Sequence, residues 1–353
     1  MSLKILHLPT STGGNSSGLS LAEKELGYIS DVLTFSEQFN KYDSDINLNL
    51  SQRNFLNRIY IRMKTFLKVR NKYDVYHFNF GTSLLDFGRF GLPLLDLPFY
   101  KKTAKKIVTY NGCDARQKYP SMSTYKIAAC HEKNCYKGMC NSGKLDKIRQ
   151  IKIRKMAKCA HHIFALNPDL LKFLPENASF VPYTISNWNT IKKVNKQRSK
   201  KIKIVHAPTN RDAKGTRYIE TALSKLSTKY RDIEVIFVEN KTFEDAIAIY
   251  QTADLVIDQV LIGWYGAFSV EVMKMGIPVA CYIRQEDLKY IPSKMALDLN
   301  QAIINVSPFT IFNELEKVIE NRAMLVEKGR AGLDYVHTWH EPKKIATTIL
   351  EKL

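Results

Sequence analysis

Two cations and a glycine stand close together in residues 206–216 (HAPTNRDAKGT), between a strand-like run and a helical pattern. The guanidinium of Arg211 can grip two phosphate oxygens at once, and Lys214 adds a compact positive charge. Gly215 permits close approach of the backbone, and the N–H groups at a helix N-terminus favour an anion. These residues predict a diphosphate-binding loop, and a solvated surface turn is the alternative.

Carboxylates follow further along the chain. Residues 253–259 (ADLVIDQ) form a strand-like run that ends at Asp258, and a loop containing Gly263 comes next. The helical pattern after this loop carries Glu271 and stops at Gly276. A carboxylate such as that of Glu271 can accept hydrogen bonds from both hydroxyls of a vicinal diol. An ordinary charged residue in the first turns of a helix is the alternative.

In this order the motifs resemble the donor-binding half of the GT-B glycosyltransferases. They are most similar to the large retaining family called family 4 or group 1, in which a Lys-Gly loop precedes a helix of the form G-x(4)-E-x-M-x-x-G-x-P-V. The resemblance covers residues 201–280 and implies that Lys214 and Arg211 neutralise the departing diphosphate of the donor. It implies further that Glu271 binds the ribose and that a nucleotide sugar of the UDP or GDP type is the donor.

The sequence departs from that family eight residues before Glu271. The family has a further Glu there, which contacts the donor sugar, whereas this chain has Gly263. We expect the sugar to be contacted instead by backbone N–H groups or by one nearby acid, that is by Gly266, Ala267 and Phe268 or by Asp258. The spacing of Arg211 also differs, because it precedes Lys214 by fewer positions than is common in the family.

The first half of the chain holds further candidates for the chemistry. Residues 107–110 lead into Asn111-Gly112-Cys113-Asp114, where many relatives carry His-Gly-x-Asp. The resemblance implies catalytic positions for Asn111 and Asp114. An amide in place of the imidazole can hydrogen-bond a sugar hydroxyl but cannot carry a proton between groups.

A glycine-rich turn follows the first strand-like run. Residues 11–18 (STGGNSSG) resemble the turn that lies near the donor phosphates and the acceptor in the family. This implies donor contacts for Gly13 and Gly14 and an acceptor contact for Asn15. His77 ends another strand-like run, and we expect either an acceptor contact or a buried structural role for it.

Six cysteines are present, and three of them are evenly spaced in CHEKNCYKGMC, at Cys130, Cys135 and Cys140. Together with Cys113 they could hold a structural zinc ion. The spacing differs from the usual pair of zinc-binding cysteines, so free thiols or an incidental disulfide are alternatives. If zinc binds, we expect it to pin the insertion 113–145 and to take no part in catalysis.

Short apolar runs alternate with helical patterns along the chain. We predict strands at 4–8, 30–35, 75–79, 106–110, 162–166, 179–182, 203–206, 234–238, 255–258, 278–283 and 302–305. In the second half we predict helices at 217–230, 242–251, 268–275 and 311–328. This alternation is typical of α/β proteins whose parallel sheets are covered by helices on both faces. The predicted fold class is α/β, with two Rossmann-like domains facing a cleft as in GT-B proteins.

One interruption of this alternation sets the expected domain organisation. Residues 183–200 are polar and basic and lack apolar periodicity, so we predict an interdomain linker there. We expect an N-terminal acceptor-binding domain at 1–182 and a C-terminal nucleotide-sugar domain at 201–335. Residues 336–353 are expected to form a C-terminal helix, which can pack back on the N-terminal domain.

The composition indicates an anionic partner. The 53 Lys and Arg residues exceed the 34 Asp and Glu residues, which gives a formal net charge of +19. A nucleotide, an acidic membrane surface and nucleic acid all carry the complementary charge, and a solvated Lys-rich surface is the alternative. We expect nucleic acid least, because no basic motif interleaved with aromatic residues stands out.

Residues 84–100 are rich in Leu and Phe and directly precede Lys101 and Lys102. They are a candidate membrane-surface element, with a partly buried helix and loop as the alternative. No run approaches the roughly 20 apolar residues of a transmembrane helix, and no signal peptide is evident. We therefore expect a cytoplasmic protein that is peripheral on the inner face of a bacterial membrane.

The resemblance implies a metal-independent enzyme without a catalytic cofactor. Its expected reaction moves a sugar, with retention, to a glycan or lipid-linked acceptor in bacterial surface polysaccharide synthesis. A non-catalytic protein of the same fold that binds a glycan or a nucleotide is one alternative. A sugar-nucleotide epimerase is the other.

Overall fold

The computed structural model describes residues 2–36, 42, 44–195 and 200–353. Residues 196–199 of the expected linker lie outside the described residues. The chain divides into two units. The first unit comprises Met1–Gln117, Gly143–Trp188 and Glu341–Leu353, and the second comprises Lys118–Ser142 and Asn189–His340. These boundaries differ from the expected 1–182, 201–335 and 336–353 chiefly because residues 118–142 belong to the second unit.

The strands are short and rich in β-branched residues. Their bounds in chain order are β1 Lys4–Leu8, β2 Ile29–Thr34, β3 Ile46–Asn47, β4 Val75–Asn79, β5 Lys105–Tyr110, β6 His162–Ala165, β7 Ser179–Phe180, β8 Ile202–His206, β9 Ile233–Phe237, β10 Leu255–Ile257, β11 Val279–Cys281 and β12 Ile303–Asn305. Every strand predicted from the sequence has a counterpart within two residues at each end. The short strand β3 was missed, because two residues carry no alternation.

The helices connect these strands. Their bounds are α1 Asn15–Glu25, α2 Phe55–Val69, α3 Lys118–Thr124, α4 Lys144–Cys159, α5 Arg211–Lys214, α6 Thr216–Lys229, α7 Phe243–Gln251, α8 Ala267–Lys274, α9 Ser293–Ala302, α10 Ile311–Glu320, α11 Ala323–Trp339 and α12 Pro342–Leu350. The prediction of a single helix at 311–328 is wrong. Asn321 leaves the helical conformation (φ −121°, ψ 81°), so α10 ends there and α11 begins anew.

The first unit is built on a parallel sheet with the strand order β3-β2-β1-β4-β5-β6-β7. Successive side chains of a strand point to opposite faces, and Leu6, Leu8, Tyr76 and Phe78 share one core with Phe66 of α2. The chain runs from β1 to β3 on one side and from β4 to β7 on the other. The switch point of the first sheet therefore lies between β1 and β4.

Helix α12 completes the first unit by packing on α1. Pro342 occupies its first turn, where the missing N–H costs nothing. The side chain of Glu341 caps the helix by accepting hydrogen bonds from the N–H groups of Lys343 and Lys344. An ion pair of 2.9 Å joins Lys343 to Glu25 of α1. The C-terminal helix thus packs on the first helix of the chain.

The second unit has a parallel sheet with the order β12-β11-β10-β8-β9. Its switch point lies between β8 and β10, because the chain runs from β8 outward to β9 and then returns to β10. Ile219, Leu223 and Leu226 recur at helical spacing on α6 and are buried against Ile204 and Ile257 of these two strands. The pattern of α6 thus fixes which face lies on the sheet.

Within the described part of the chain, no helix has both the length and the apolar character that crossing a bilayer requires.

Candidate functional site

The second unit places its candidate residues at the carboxyl ends of β8 and β10. Open α/β sheets bind ligands outside this edge at the switch point. Lys214 lies in the connection after β8, and Asp258 follows β10 directly. The register pairs His206 with Ile257, so the two connections start side by side. Strand order therefore assembles two motifs whose charged residues are 44 positions apart in the chain.

The connection from β8 to α6 is one helical turn that ends at a glycine. Asn210 caps this turn, since its side-chain oxygen accepts a hydrogen bond from the N–H of Ala213 at 2.8 Å. Gly215 has a φ of 73°, which favours glycine. A Cβ there would lie 2.6 Å from Val260 and 2.9 Å from Leu261. The absence of a side chain at Gly215 thus allows the loop after β10 to pack closely against it.

Lys214 and Asp258 form an ion pair at the switch point. The Asp258 side chain is fully buried, and 13% of the Lys214 side chain is exposed. Burial works to lower the pKa of Lys214 and to raise that of Asp258. Their mutual attraction outweighs it, so the pKa of Lys214 is raised and the pKa of Asp258 is lowered. Both groups are charged at neutral pH, and Asp258 takes one of the three N–H bonds of the ammonium group.

Asp258 also fixes the start of helix α8. Its second carboxylate oxygen accepts hydrogen bonds from the hydroxyl of Ser269 at 2.7 Å and from the N–H of Gly266 at 3.2 Å. Because both oxygens are bound by this chain, Asp258 is placed to position Lys214 and the helix rather than to contact a sugar. Sequence reasoning missed Ser269, since a serine in a first helical turn is common.

The N-terminus of α8 is open at the residues expected to contact the sugar. The N-cap residue Gly266 has no side chain of its own, and its N–H is bound by Asp258. A Cβ at Gly266 would meet no atom within 4 Å, and Ala267 and Phe268 are partly exposed. The first N–H groups of a helix have no partner within the helix. This end of α8 can therefore receive an oxygen of a ligand.

Glu271 lies one turn further along α8 and is largely buried. Burial, and then the negative charges of Glu271 and Asp258, raise the pKa of Tyr250 of α7. The Tyr250 ring meets the edge of Phe268, with 4.9 Å between the ring centres. Tyr250 is a neutral member of this site. Sequence reasoning missed it, because it ends a helix without a recognisable motif.

His206 is a buried neutral residue at the end of β8. Its Nδ1 lies 2.7 Å from the carbonyl oxygen of Ile257, which can only accept, so Nδ1 carries the proton. Its Nε2 then accepts a hydrogen bond from the hydroxyl of Thr216 at 2.9 Å. Burial lowers the pKa of His206 to about 4. The ring ties β8 to β10 and α6 and is uncharged at neutral pH.

Arg211 is engaged by two carboxylates of its own chain. It forms ion pairs with Glu220 and, at 2.8 Å, with Glu239. Its side chain is 45% exposed. The hydrogen bond to Glu220 raises the pKa of Arg211. The expected diphosphate contact of Arg211 would require these surface ion pairs to rearrange.

In the first unit, Gly13 and Gly14 turn the chain from β1 into α1. Both have a positive φ, 63° and 73°, which an L side chain adopts at a cost. The side-chain oxygen of Asn15 accepts a hydrogen bond from the N–H of Thr184 at 3.0 Å. Asn15 therefore holds the segment after β7 in place. Its side-chain nitrogen is the atom left for the expected contact with the acceptor.

Asp114 shapes the loop after β5. Its carboxylate accepts hydrogen bonds from the N–H groups of Asn111 at 3.0 Å and Gly112 at 2.6 Å. Burial raises the pKa of Asp114, and these hydrogen bonds act against the rise. The side chain of Asn111 donates to the carbonyl of Thr12 at 3.4 Å. Asp114 thus positions Asn111, which faces the glycine turn.

Four buried polar atoms at this edge of the first sheet have no hydrogen-bond partner among the described residues. They are Thr10 Oγ1, Asn15 Nδ2, Asn79 Oδ1 and Asn111 Oδ1. Thr10 follows β1 and Asn79 ends β4, so they flank the switch point. A buried polar group without a partner costs free energy. A ligand that hydrogen-bonds to these atoms would remove that cost.

His77 is completely buried on β4. Its Nε2 lies 2.7 Å from the hydroxyl of Thr109, and its ring packs on His7 with 4.8 Å between the ring centres. Burial lowers the pKa of His77 well below the ordinary value. This position argues against the expected acceptor contact and for the structural role.

All six cysteines lie in the described part of the chain, and none forms a disulfide there. Within the same described residues no three His, Cys, Asp or Glu side chains form a group that could hold a metal ion. The suggested zinc site at Cys113, Cys130, Cys135 and Cys140 is therefore not assembled. Cys130 and Cys135 lie in two different 3-10 turns, and Cys140 follows the second.

Known proteins match this chain by structure and not by sequence. No protein-family model matches the sequence, and no curated protein gives a significant match. Solved structures match over the whole chain. A sucrose-phosphate synthase from Thermosynechococcus elongatus is 14% identical with a TM-score of 0.61, and the match covers 99% of this chain and 98% of that one.

Two further structures resemble this chain. The catalytic domain of starch synthase IV from Arabidopsis thaliana, bound to ADP and acarbose, is 10% identical with a TM-score of 0.58, covering 100% of this chain and 99% of that one. A Listeria monocytogenes protein assigned as a UDP-N-acetylglucosamine 2-epimerase is 13% identical with a TM-score of 0.55, covering 99% of this chain and 95% of that one.

The neighbours define the fold class. The two synthases are GT-B glycosyltransferases, and each unit of this chain has a parallel sheet with flanking helices. The chain therefore has the GT-B fold, built from two Rossmann-like units, as the sequence predicted. At such low identity the likeness establishes the fold alone.

Proposed function

We propose that this protein is a glycosyltransferase that moves a sugar from a nucleoside diphosphate sugar to a glycan or lipid-linked acceptor. The observation that carries the proposal is the Lys214–Asp258 pair at the switch point of the second sheet. A partly exposed ammonium group next to an open helix N-terminus suits a diphosphate. Two proteins of the same fold, a sucrose-phosphate synthase and a starch synthase with bound ADP, support a donor of this class.

The proposed reaction assigns a role to each group. The bond between the anomeric carbon and the diphosphate oxygen breaks, and the diphosphate leaves with the bonding electrons. The acceptor hydroxyl oxygen forms the new bond, and its proton passes to the departing diphosphate. Lys214 stabilises the charge that grows on the diphosphate, and Glu271 binds the ribose hydroxyls. From the resemblance to the retaining family we propose retention and a metal-independent step.

The first unit is proposed to bind the acceptor at its own switch point. The unpartnered atoms of Thr10, Asn79 and Asn111 can hydrogen-bond to sugar hydroxyls. Asn111 is the residue expected to touch the transferred sugar or the acceptor, with Asp114 holding it in place. We place the acceptor in bacterial surface polysaccharide synthesis, because lipid-linked glycans suit a strongly basic chain.

Nucleotide binding is the decisive experiment for this proposal. UDP, GDP and ADP are titrated into the protein while the melting temperature and the heat of binding are recorded. We expect one nucleotide to bind, and Lys214→Ala and Glu271→Ala to weaken it at least about tenfold. The matched controls Lys225→Ala and Glu327→Ala change exposed residues of the second unit and should bind normally. If no nucleoside diphosphate binds, the proposal fails.

A sugar-nucleotide epimerase is the second candidate, favoured by the likeness to the Listeria protein. The two reactions differ in their need for an acceptor. Incubation with UDP-N-acetylglucosamine and without acceptor, followed by proton NMR, distinguishes them. Inversion at a ring carbon of the sugar would establish the epimerase. A non-catalytic binding protein would bind the nucleotide sugar and leave it unchanged with every acceptor tried.

We propose further that the first unit docks on an anionic membrane. Helix α2 presents a stripe of apolar side chains to solvent, each between 44% and 75% exposed, at Leu56, Tyr60, Met63 and Leu67. Residues three and four positions apart lie on one face of a helix. Phe66 and Val69 on another face are buried in the core. The outward stripe is therefore additional to the face that folding requires.

The charge around this stripe matches an anionic lipid surface. Helix α2 carries no acidic residue, and three of its cations are exposed, Arg58, Lys64 and Lys68. The fourth, Arg62, turns inward and donates to two backbone carbonyls. Phe90, which is exposed, meets Phe55 with 6.1 Å between the ring centres, so the segment 84–100 adjoins the helix. Apolar side chains flanked by cations are typical of elements that lie in a membrane interface. This supports the membrane-surface element proposed at 84–100 and extends it to α2.

Vesicle binding tests the docking surface. The protein is sedimented with vesicles of phosphatidylcholine alone or mixed with phosphatidylglycerol. We expect binding to the anionic vesicles only, and a loss of at least about tenfold in the double variant Leu56→Gln, Leu67→Gln. The control Leu297→Gln changes a residue of the second unit that is 62% exposed. Equal binding by both variants, or a dimer that the double variant dissociates, would overturn this proposal.

A further inference from the structure

Residues 118–142, which we call the strap, belong to the second unit although they lie between β5 and α4 in the sequence. The strap consists of α3 and of two 3-10 turns, Ala129–His131 and Cys135–Gly138. Its middle packs against the core of the second sheet. The N–H of Ala129 donates to the carbonyl of Leu261 at 3.1 Å. The strap therefore reaches the loop that packs on Gly215.

Arg284 clamps the strap from the interior. Its guanidinium is buried and lies 3.7 Å from the centre of the Tyr125 ring. One amino group donates to Asp287 at 2.9 Å, and the other donates to the carbonyl of Ile127 at 3.0 Å. The hydroxyl of Tyr125 also donates to Asp287, at 3.3 Å. The strap thus contributes a ring, a hydroxyl and a carbonyl to one buried ion pair.

The same guanidinium explains why position 263 is a glycine. The backbone N–H of Arg284 donates to the carbonyl of Gly263 at 2.9 Å, which brings its side chain to this glycine. Gly263 has a φ of 89°, and a Cβ there would lie 2.5–2.7 Å from the atoms of the Arg284 guanidinium. A side chain at 263 would require the Arg284 guanidinium to move. The residue expected from the family, a glutamate, would therefore displace the clamp.

The second turn of the strap lies against the phosphate-loop helix α5. Within this turn Tyr136 and Lys137 both have a positive φ, 46° and 57°. Consecutive residues other than glycine seldom adopt this conformation, and such outliers cluster at ligand sites. The turn thus holds an aromatic ring and a cation next to the helix that ends at Lys214.

We propose that the strap is a fixed wall of the donor site, held by Arg284 as a positioning residue, and that Tyr136 and Lys137 contact the nucleotide beside Lys214. The nucleotide contact rests on the function proposed above. The clamp does not, because it is formed by this chain alone. In this arrangement the strap, which comes from another part of the sequence, lines the donor site in place of the side chain that Gly263 lacks.

Hydrogen exchange of the ligand-free protein tests the clamp. Lysine keeps the charge of Arg284 but loses the planar fork and the stacking on Tyr125. We expect amides of 118–142 to exchange at least about tenfold faster in Arg284→Lys, with the rest of the second unit unchanged. The matched control Arg322→Lys alters another arginine that binds an aspartate and a backbone carbonyl. If Arg284→Lys is poorly folded, Tyr125→Leu, which removes both the ring and the hydroxyl, replaces it with the same expectation.

A double-variant cycle tests the link to position 263. Gly263→Ala should displace the guanidinium and loosen the strap in the same way. Combined with Arg284→Lys, it should loosen the strap by less than the sum of the two single effects, because both disrupt one contact. Additive effects, or unchanged exchange of 118–142 in every variant, would overturn the clamp.

Nucleotide affinity tests the wall. Tyr136→Ala with Lys137→Ala should weaken binding of the nucleoside diphosphate about tenfold without changing the melting temperature, because both side chains lie at the surface of the turn. The control Tyr290→Ala with Lys289→Ala removes a similar pair from a different 3-10 turn. Normal binding by the strap variant would overturn the wall while leaving the transferase proposal intact. Absence of nucleotide binding by the wild-type protein would overturn both.

Discussion

The polar side chains at the two switch points differ in whether the protein itself supplies their hydrogen-bond partners. In the second unit, the buried carboxylate of Asp258 is bound by Lys214 and Ser269, so its charge is balanced by the chain itself. In the first unit, Asn79 and Asn111 each keep a buried side-chain oxygen that has no partner among the described residues. The carboxylate at one edge is satisfied by the protein itself, and the amide oxygens at the other can accept hydrogen bonds from a ligand.

This difference matches the two proposed substrates. A diphosphate presents the same charge in every donor, and a preorganised ammonium group stabilises it without rearrangement. An acceptor is recognised by the positions of its hydroxyls, and neutral amides suit that task. The charged edge should therefore control the chemical step, and the neutral edge should control acceptor binding.

The largest effect is expected from Lys214→Met. It removes the cation proposed to face the diphosphate and leaves Asp258 buried without its Lys214 partner. Turnover should fall about a thousandfold, and the free energy of unfolding should fall by about 3–5 kcal/mol. Initial rates of sugar transfer and urea unfolding measure the two effects.

The double variant Lys214→Met, Asp258→Asn is the control. It removes the uncompensated charge, so most of the stability should return while turnover stays low. A double variant that regains turnover would show that Lys214 serves only the fold, and the contrast between the two edges would break.

The second effect is a loss of stability at low pH, to which His206 of the second unit contributes. The pKa of His206 is lowered from 6.5 to about 4. Between these values the unfolded chain binds a proton that the folded chain does not, so stability present above pH 6.5 is lost as the pH falls. The full shift corresponds to on the order of 3 kcal/mol.

Urea unfolding between pH 7.5 and 4 measures this loss, and His206→Gln should reduce it. His77→Gln should lower stability less at pH 7.5, because only one nitrogen of that ring is hydrogen-bonded among the described residues. Equal acid sensitivity of wild-type protein and His206→Gln would contradict the assignment.

Asn111→Ala should act on acceptor binding more than on stability. Its side-chain oxygen has no partner to lose among the described residues, and its amide donates only one long hydrogen bond. We expect the KM for the acceptor to rise about tenfold, with less than about 1 kcal/mol of stability lost. Steady-state kinetics with varied acceptor checks this.

Asn167→Ala is the matched control for Asn111. Asn167 donates to the carbonyl of Asn111 at 3.0 Å and accepts from the hydroxyl of Tyr183 at 2.6 Å. Its loss should cost about 1–3 kcal/mol of stability. If the two variants behaved alike, the neutral edge would be structural and not a binding site.

The smallest effect is expected from Arg211→Ala. Arg211 is bound by Glu220 and Glu239 at the surface, where ion pairs contribute at most about 1 kcal/mol. Turnover should fall by no more than about threefold. A loss as large as that of Lys214→Met would place Arg211 on the diphosphate and restore the original expectation.

The strands and the turn that ends at Lys214-Gly215 could be predicted because their signals are local. Alternating apolar runs mark β1 and β8, and Lys214-Gly215 before a helical pattern marks the loop. The pairing of Lys214 with Asp258 could not be predicted, because it depends on β10 lying beside β8 rather than beside β9. For the same reason Asp258 appeared to be a sugar ligand.

The strap could not be predicted either. Its cysteines at regular spacing suggested a metal site, whereas its position depends on a buried contact with Arg284, more than 150 residues away. Gly263 appeared in the sequence as the loss of a glutamate. Only the packed interior shows the guanidinium that excludes a side chain there.

The division of the chain has an evolutionary consequence. The backbone passes between the two units four times, after residues 117, 142, 188 and 340. A single recombination event near 188 would join a strap from one parent to residues 189–340 from another, and Arg284 would meet an unfamiliar ring and carbonyl. Exchange of an intact second unit between relatives would require 118–142 and 189–340 to be inherited together, and designed chimeras would have to transplant both.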